Sequence, residues 1–193
     1  FGAWGIGGSV DEALAYGATD KQESMGALMR AYELGVNFFD TAGLYGRGHS
    51  ESLIGCAFKD VRSEVILATK VGLLDSVGGQ DFTPEGMRRA LEASLSRLQT
   101  DYVDLLQLHG PTIELLRRDE SILLALSNLE REGKVRATGI SVRSPDDGLV
   151  AVTELGFNCL QVNLNLADQR AWPNGLLDLC ESQDIGVIAK TPL

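Results

Sequence analysis

The chain has 193 residues, 44% of them hydrophobic, which is enough apolar material for one globular domain with its own core. Its 17 basic and 27 acidic residues leave a formal charge of −10, with the acids scattered, which excludes the clustered Lys and Arg that a nucleic-acid partner requires. No apolar run approaches the roughly 18 residues of a membrane span.

In chain order, the stretch FGAWGI at 1–6 reads as a first strand. The overlapping GIGGS at 5–9 is glycine-rich but lacks the G-x-G-x-x-G spacing of a dinucleotide-binding turn. Asp20 and Glu23 form a capping box ahead of Met25, Leu28, Met29 and Tyr32 at helical spacing. The next strand is Val36–Asp40, and NFFDTAGLYGRGHSE at 37–51 places an Asp at its end, a Tyr in a glycine-rich loop, and a Ser-Glu pair opening a helix. A strand at Val65–Lys70 precedes Thr83-Pro84-Glu85, a helix start with Pro where its missing N–H costs nothing, and Leu91, Leu95 and Leu98 mark the buried stripe. Tyr102–His109 is the next strand. Ile122, Ala125, Leu126 and Leu129 repeat the helical pattern, with Gly133 suited to the C-terminal cap. Strands at Ala137–Ser141, Cys159–Leu164 and Gly186–Lys190 complete the alternation. Cys56, Cys159 and Cys180 are too widely spaced for a metal site and fit buried thiols in a reducing compartment. The expected location is the cytoplasm.

Seven strands alternating with helices predict a parallel sheet with right-handed crossovers, and a closed (β/α)8 TIM barrel fits better than an open doubly wound sheet. One domain over 1–193 is expected. A full barrel runs to about 250 residues, so the last strand and its helix are expected to be missing from this chain, and the N-terminus, which lacks Met, to be clipped. Seven strands would leave two open edges; if the chain ended at Leu193, pairing into a homo-oligomer is what would close them.

Barrels of this kind carry chemistry at the C-terminal ends of their strands. There the sequence places Asp40, Lys70 and His109 on three neighbouring strands, with Tyr45 in the loop after the first of them. Individually these residues read as a cap, a rim cation, a core histidine and a packing ring. Their coincidence at one end points to a shared pocket.

The sequence resembles the aldo-keto reductase family. FFDTAGLYGRGHSE matches that family's Asp-Thr-Ala…Tyr-Gly…Ser-Glu signature, ILATKVG its lysine strand and DYVDLLQLHGP its histidine strand. REGKVRATGIS, LQVNLNLADQRA and GVIAKTPL match the later strands in order. The resemblance implies a catalytic tetrad, with Tyr45 as general acid/base, Lys70 and Asp40 tuning it, and His109 orienting a carbonyl. It implies NADP(H) as redox partner and a small carbonyl or sugar as substrate. A free phenol titrates near pH 10, and the expectation is that the Lys70 ammonium lowers that value. Cofactor contacts carry over to Trp4, Asp40, Ser141, Gln161, Lys190, Thr191 and Leu193. Val142 stands where the family commonly has Asn, and Lys190 where an aromatic or Arg usually covers the nicotinamide, so Lys190 is expected over the ring or on a phosphate. A redox-silent lyase or isomerase and a non-catalytic cofactor-sensing subunit are the competing classes.

Overall fold

A computed structural model of the protein describes residues 1–8, 17–75 and 77–191. Six parallel strands form one sheet in sequential order: β1 (Phe38–Asp40), β2 (Ile66–Val71), β3 (Val103–His109), β4 (Val135–Ser141), β5 (Cys159–Asn163) and β6 (Gly186–Lys190). The expected seventh strand is reduced to a single parallel bridge, Gly2 to Asp40. Only Phe1–Ala3 run beside β1, because the backbone turns into a 3-10 helix at Gly5–Gly7 directly afterwards. The architecture is therefore a curled parallel half-barrel rather than a closed one.

Among the described residues there are seven α-helices: α1 (Lys21–Glu33), α2 (His49–Phe58), α3 (Pro84–Leu98), α4 (Ile113–Arg118), α5 (Ser121–Arg131), α6 (Pro145–Thr153) and α7 (Leu176–Ser182). Their starts obey simple donor chemistry. Thr83 caps α3 by accepting from Gly86 N–H, and Pro84 takes the first helical position. Ser144 and Asp147 cap α6 reciprocally, a capping box. At α1, Asp20 accepts from Gln22 and Glu23 N–H, but Met29 is exposed and Leu28 carries the burial. Leu91, Leu95 and Leu98 of α3 and Ile122, Ala125, Leu126 and Leu129 of α5 are all buried. They pack with the outward faces of the strands into one core.

In each register pair of a parallel sheet the two side chains share a face. Lys70 pairs with Gln107, His109 with Ser141, Ser141 with Gln161, and Asn163 with Lys190. Polar groups from five strands therefore converge on one side of the sheet, at its C-terminal end. Of the three thiols, Cys180 alone is buried; Cys159 is half-buried and Cys56 is exposed on α2, so the expectation of three buried thiols fails there. Among the described residues no helix is long and apolar enough to cross a membrane.

Candidate active site

Lys70 is the centre of the arrangement. Its side chain is fully buried, and its ammonium donates to both oxygens of Asp40 (2.8 and 2.7 Å), to the Thr41 carbonyl (2.8 Å) and to the Tyr45 hydroxyl (3.4 Å). Asp40 is held in turn by two amides from across the sheet: Gln107 donates to Oδ1 at 3.1 Å and Gln161 to Oδ2 at 3.0 Å. A buried carboxylate is tolerated when its lone pairs are met and its charge is paired, and both conditions hold here. Gln107 was not anticipated, although LLQLHG carries the signal. A Gln two residues before His109 in an apolar strand must point to the same face as that histidine.

Tyr45 reaches Lys70 because its loop is fixed from both sides. Gly46 and Arg47 adopt left-handed backbone, and a Cβ on Gly46 would lie 2.0 Å from the Gly7 carbonyl oxygen. The loop thus lies directly on the glycine-rich N-terminal turn. Behind it, Ser50 donates to the Ala3 carbonyl at 2.8 Å and meets the Thr41 hydroxyl at 2.9 Å. Glu51, fully buried, accepts from Thr69 (2.6 Å) and from Arg97 (2.7 Å). The Ser-Glu pair opens α2 as the sequence suggests, but both side chains are buried and clamp the loop, β2 and α3 together. The tyrosine ring stands edge-on to His109, with centroids 6.2 Å apart.

Burial sets the electrostatics. It raises the Tyr45 phenol above its ordinary value; Lys70 opposes this and Asp40 adds to it. The expected net lowering by Lys70 is therefore corrected: the ammonium acts in the anticipated direction, but desolvation outweighs it. His109 falls to about 3, chiefly from desolvation and then from the positive charges of Lys70 and Lys190, so it is a neutral imidazole at physiological pH.

These groups face a cavity of about 710 Å³ between the N-terminal stretch and β6, a size suited to a small-molecule ligand. Asp40, Tyr45, His109, Ser141, Gln161 and Lys190 line it. Trp4 and Thr191 also line it, Trp4 at 39% exposure. Leu193 lies outside the described residues. Ser141 and Gln161 already have partners in the protein: Ser141 Oγ accepts from Lys190 Nζ at 3.2 Å, and Gln161 spends an N–H on Asp40. Lys190 donates as well to the Val142 carbonyl at 2.8 Å. Asn163, a further amide in the lining, was not anticipated. Apolar walls at Trp4, Leu44 and Ile188 beside a hydroxyl and two carboxamides match a flat heteroaromatic ring bearing an amide. Among the described residues no group of three or more His, Cys, Asp or Glu could hold a metal.

A family profile described as "Aldo/keto reductase family" matches residues 1–193. The chain is 38% identical over 179 residues to the uncharacterized oxidoreductase YqkF of Bacillus subtilis, spanning 91% of this chain and 57% of that protein. It superposes on the holo form of aldo-keto reductase AKR11C1 from Bacillus halodurans with a TM-score of 0.82 at 30% identity, over 98% of this chain and 60% of that one. An aldo/keto reductase of Klebsiella pneumoniae, solved in complex with NADP and acetate, matches with a TM-score of 0.77 at 28% identity, over 98% and 62% of the two chains. This chain thus spans somewhat more than half the length of these relatives.

Proposed function

We propose that this chain, which belongs to the aldo/keto reductase family, carries the catalytic centre of an NADP(H)-dependent oxidoreductase that interconverts an aldehyde or ketone with the corresponding alcohol. The observation that carries this reading is the single ammonium of Lys70, bonded at once to Asp40 and to the Tyr45 hydroxyl at the wall of the cavity. NADP(H), when bound, supplies or accepts the hydride, and the residues that fit its nicotinamide end are Trp4, Ser141, Gln161, Asn163 and Lys190.

The protein's own part is to handle the proton and the charge. Reduction leaves negative charge on the carbonyl oxygen, which must be neutralised by a donor in place before the reaction. Tyr45 fits that role. Its raised pKa keeps the phenol protonated at neutral pH, so the resting site already holds the proton it will give. Once the proton has left, the phenolate oxygen lies against Lys70, whose ammonium Asp40 holds in position. Neutral His109 contributes an imidazole N–H donor but no further positive charge, so it orients the carbonyl without competing as an acid. The same groups run backwards for alcohol oxidation, with the tyrosinate as base.

Tyr45→Phe tests the assignment. It removes one hydroxyl, whose bond is a long one, and keeps the ring. NADPH oxidation by a panel of aldehydes, ketones and sugars is expected to fall by about 10²–10⁴-fold, the usual worth of a placed general acid, with thermal stability unchanged. Undiminished turnover in this variant would remove Tyr45 from the role.

A further inference from the structure

The charges of the cavity are not balanced. Lys70 is matched by Asp40. Lys190 lines the cavity beside it, and the ammonium donates to the Ser141 hydroxyl and the Val142 carbonyl, both neutral. No carboxylate pairs with it among the described residues. The ammonium is fixed in place, because β6 supplies its stem while the last residue of β4 and the residue after it supply its two acceptors, from opposite sides of β5. Its field reaches the reacting end of the cavity, since it contributes to holding His109 neutral. The protein as a whole carries −10, so this excess of positive charge is a local construction.

We propose that Lys190 makes the site discriminate between the two redox states of its cofactor, favouring the reduced nicotinamide over the oxidised one. The inference rests on the proposed function and extends it. A dinucleotide's phosphates are the same in both states; only the ring differs, neutral when reduced and positive when oxidised. Hydride transfer requires the ring beside a carbonyl held at Tyr45, hence within the cavity that Lys190 lines. Two like unit charges even about 10 Å apart, at an effective dielectric of about 20, shift an equilibrium by about tenfold. The consequence is functional. Hydride loss creates a charge that the fixed ammonium repels, so oxidised cofactor is expelled and reduced cofactor reloaded, and release is a common bottleneck in such enzymes. The cost is a rise of about 30 mV in the potential of the bound couple, the equivalent of tenfold for two electrons.

The test is the ratio of dissociation constants for oxidised and reduced cofactor, measured by tryptophan fluorescence on the full-length protein with NADP+/NADPH and with NAD+/NADH. Wild type is expected to bind the reduced form at least about tenfold more tightly. Lys190→Met, which keeps the apolar stem, should bring the ratio close to one and strengthen product inhibition by the oxidised form. Lys190→Arg, which keeps the charge, should restore it. A ratio taken within one preparation does not depend on how much of a variant folds. Equal affinities in wild type, or a ratio that Lys190→Met leaves unchanged, overturn the inference while leaving the reductase reading intact. Failure of every dinucleotide to bind overturns both.

Discussion

Replacing Lys70 by Met isolates what the buried ion pair does for the fold. Met keeps the length and apolar character of the stem, so packing changes little, but Asp40 loses its charge partner and two of its four N–H donors. The side chains involved are 0% and 12% exposed, so water cannot substitute freely. Removing one partner of a buried pair typically costs about 3–5 kcal/mol, because the remaining charge is left uncompensated. For a chain of this size that corresponds to roughly 6–20 °C in Tm. Asp40→Asn in the Lys70→Met background removes the stranded charge and still accepts from one glutamine, so it should recover most of the loss; the double-mutant cycle then reports a coupling of several kcal/mol. Urea denaturation of wild type, both single variants and the double variant measures all of this. A cost below about 1 kcal/mol for Lys70→Met, or no rescue by Asp40→Asn, would refute the view that Lys70 is a buried, fully engaged cation.

Two other outcomes follow from the same geometry. His109 titrates near 3 in the fold against 6.5 when free, so the unfolded chain takes up the proton first; stability should fall as pH drops from about 6.5 towards 3, by up to about 1.4 kcal/mol per pH unit, and denaturation of His109→Gln should lack that part of the slope. Gly46→Ala would place a methyl carbon against the Gly7 carbonyl in a backbone conformation that alanine resists, so the loop must move; carbonyl reduction should fall by about 10²-fold from misplacement of Tyr45, whereas activity equal to wild type would show that the loop position is not what aligns the phenol.

Much of this site was legible because parallel strands obey a strict rule. Once FFD, ILATKV and LLQLH were read as buried strands, the polar residue near each C-terminal end had to emerge at one end of the sheet, and Asp40, Lys70 and His109 do so. What the sequence could not convey was depth. The sign of Lys70's effect on Tyr45 follows from charge alone, but the net direction depends on how much water the fold removes from the phenol, a property of the assembled cavity. The strand count failed for a related reason. FGAWGI has the composition of a strand, yet its run beside β1 stops after Ala3, where the backbone coils into the turn that Tyr45's loop sits on.

Glu51 shows the same limit from the other side. Next to Ser50 at the beginning of a helix, it has the pattern of a solvated first-turn acid interacting with the helix dipole. In the structure it is fully buried between Thr69 and Arg97. Thr69 and Lys70 are consecutive on β2, so they face opposite sides of the sheet: one hydroxyl bonds the strand to the helix layer, while the next residue places its ammonium beneath Asp40 and Tyr45, which line the cavity. The clamp behind the sheet and the charge in front of it are thus parts of one device. The acid that looks decorative in the sequence ties the helix layer to β2, the strand that carries Lys70 and that β1 and β3 hold on either side.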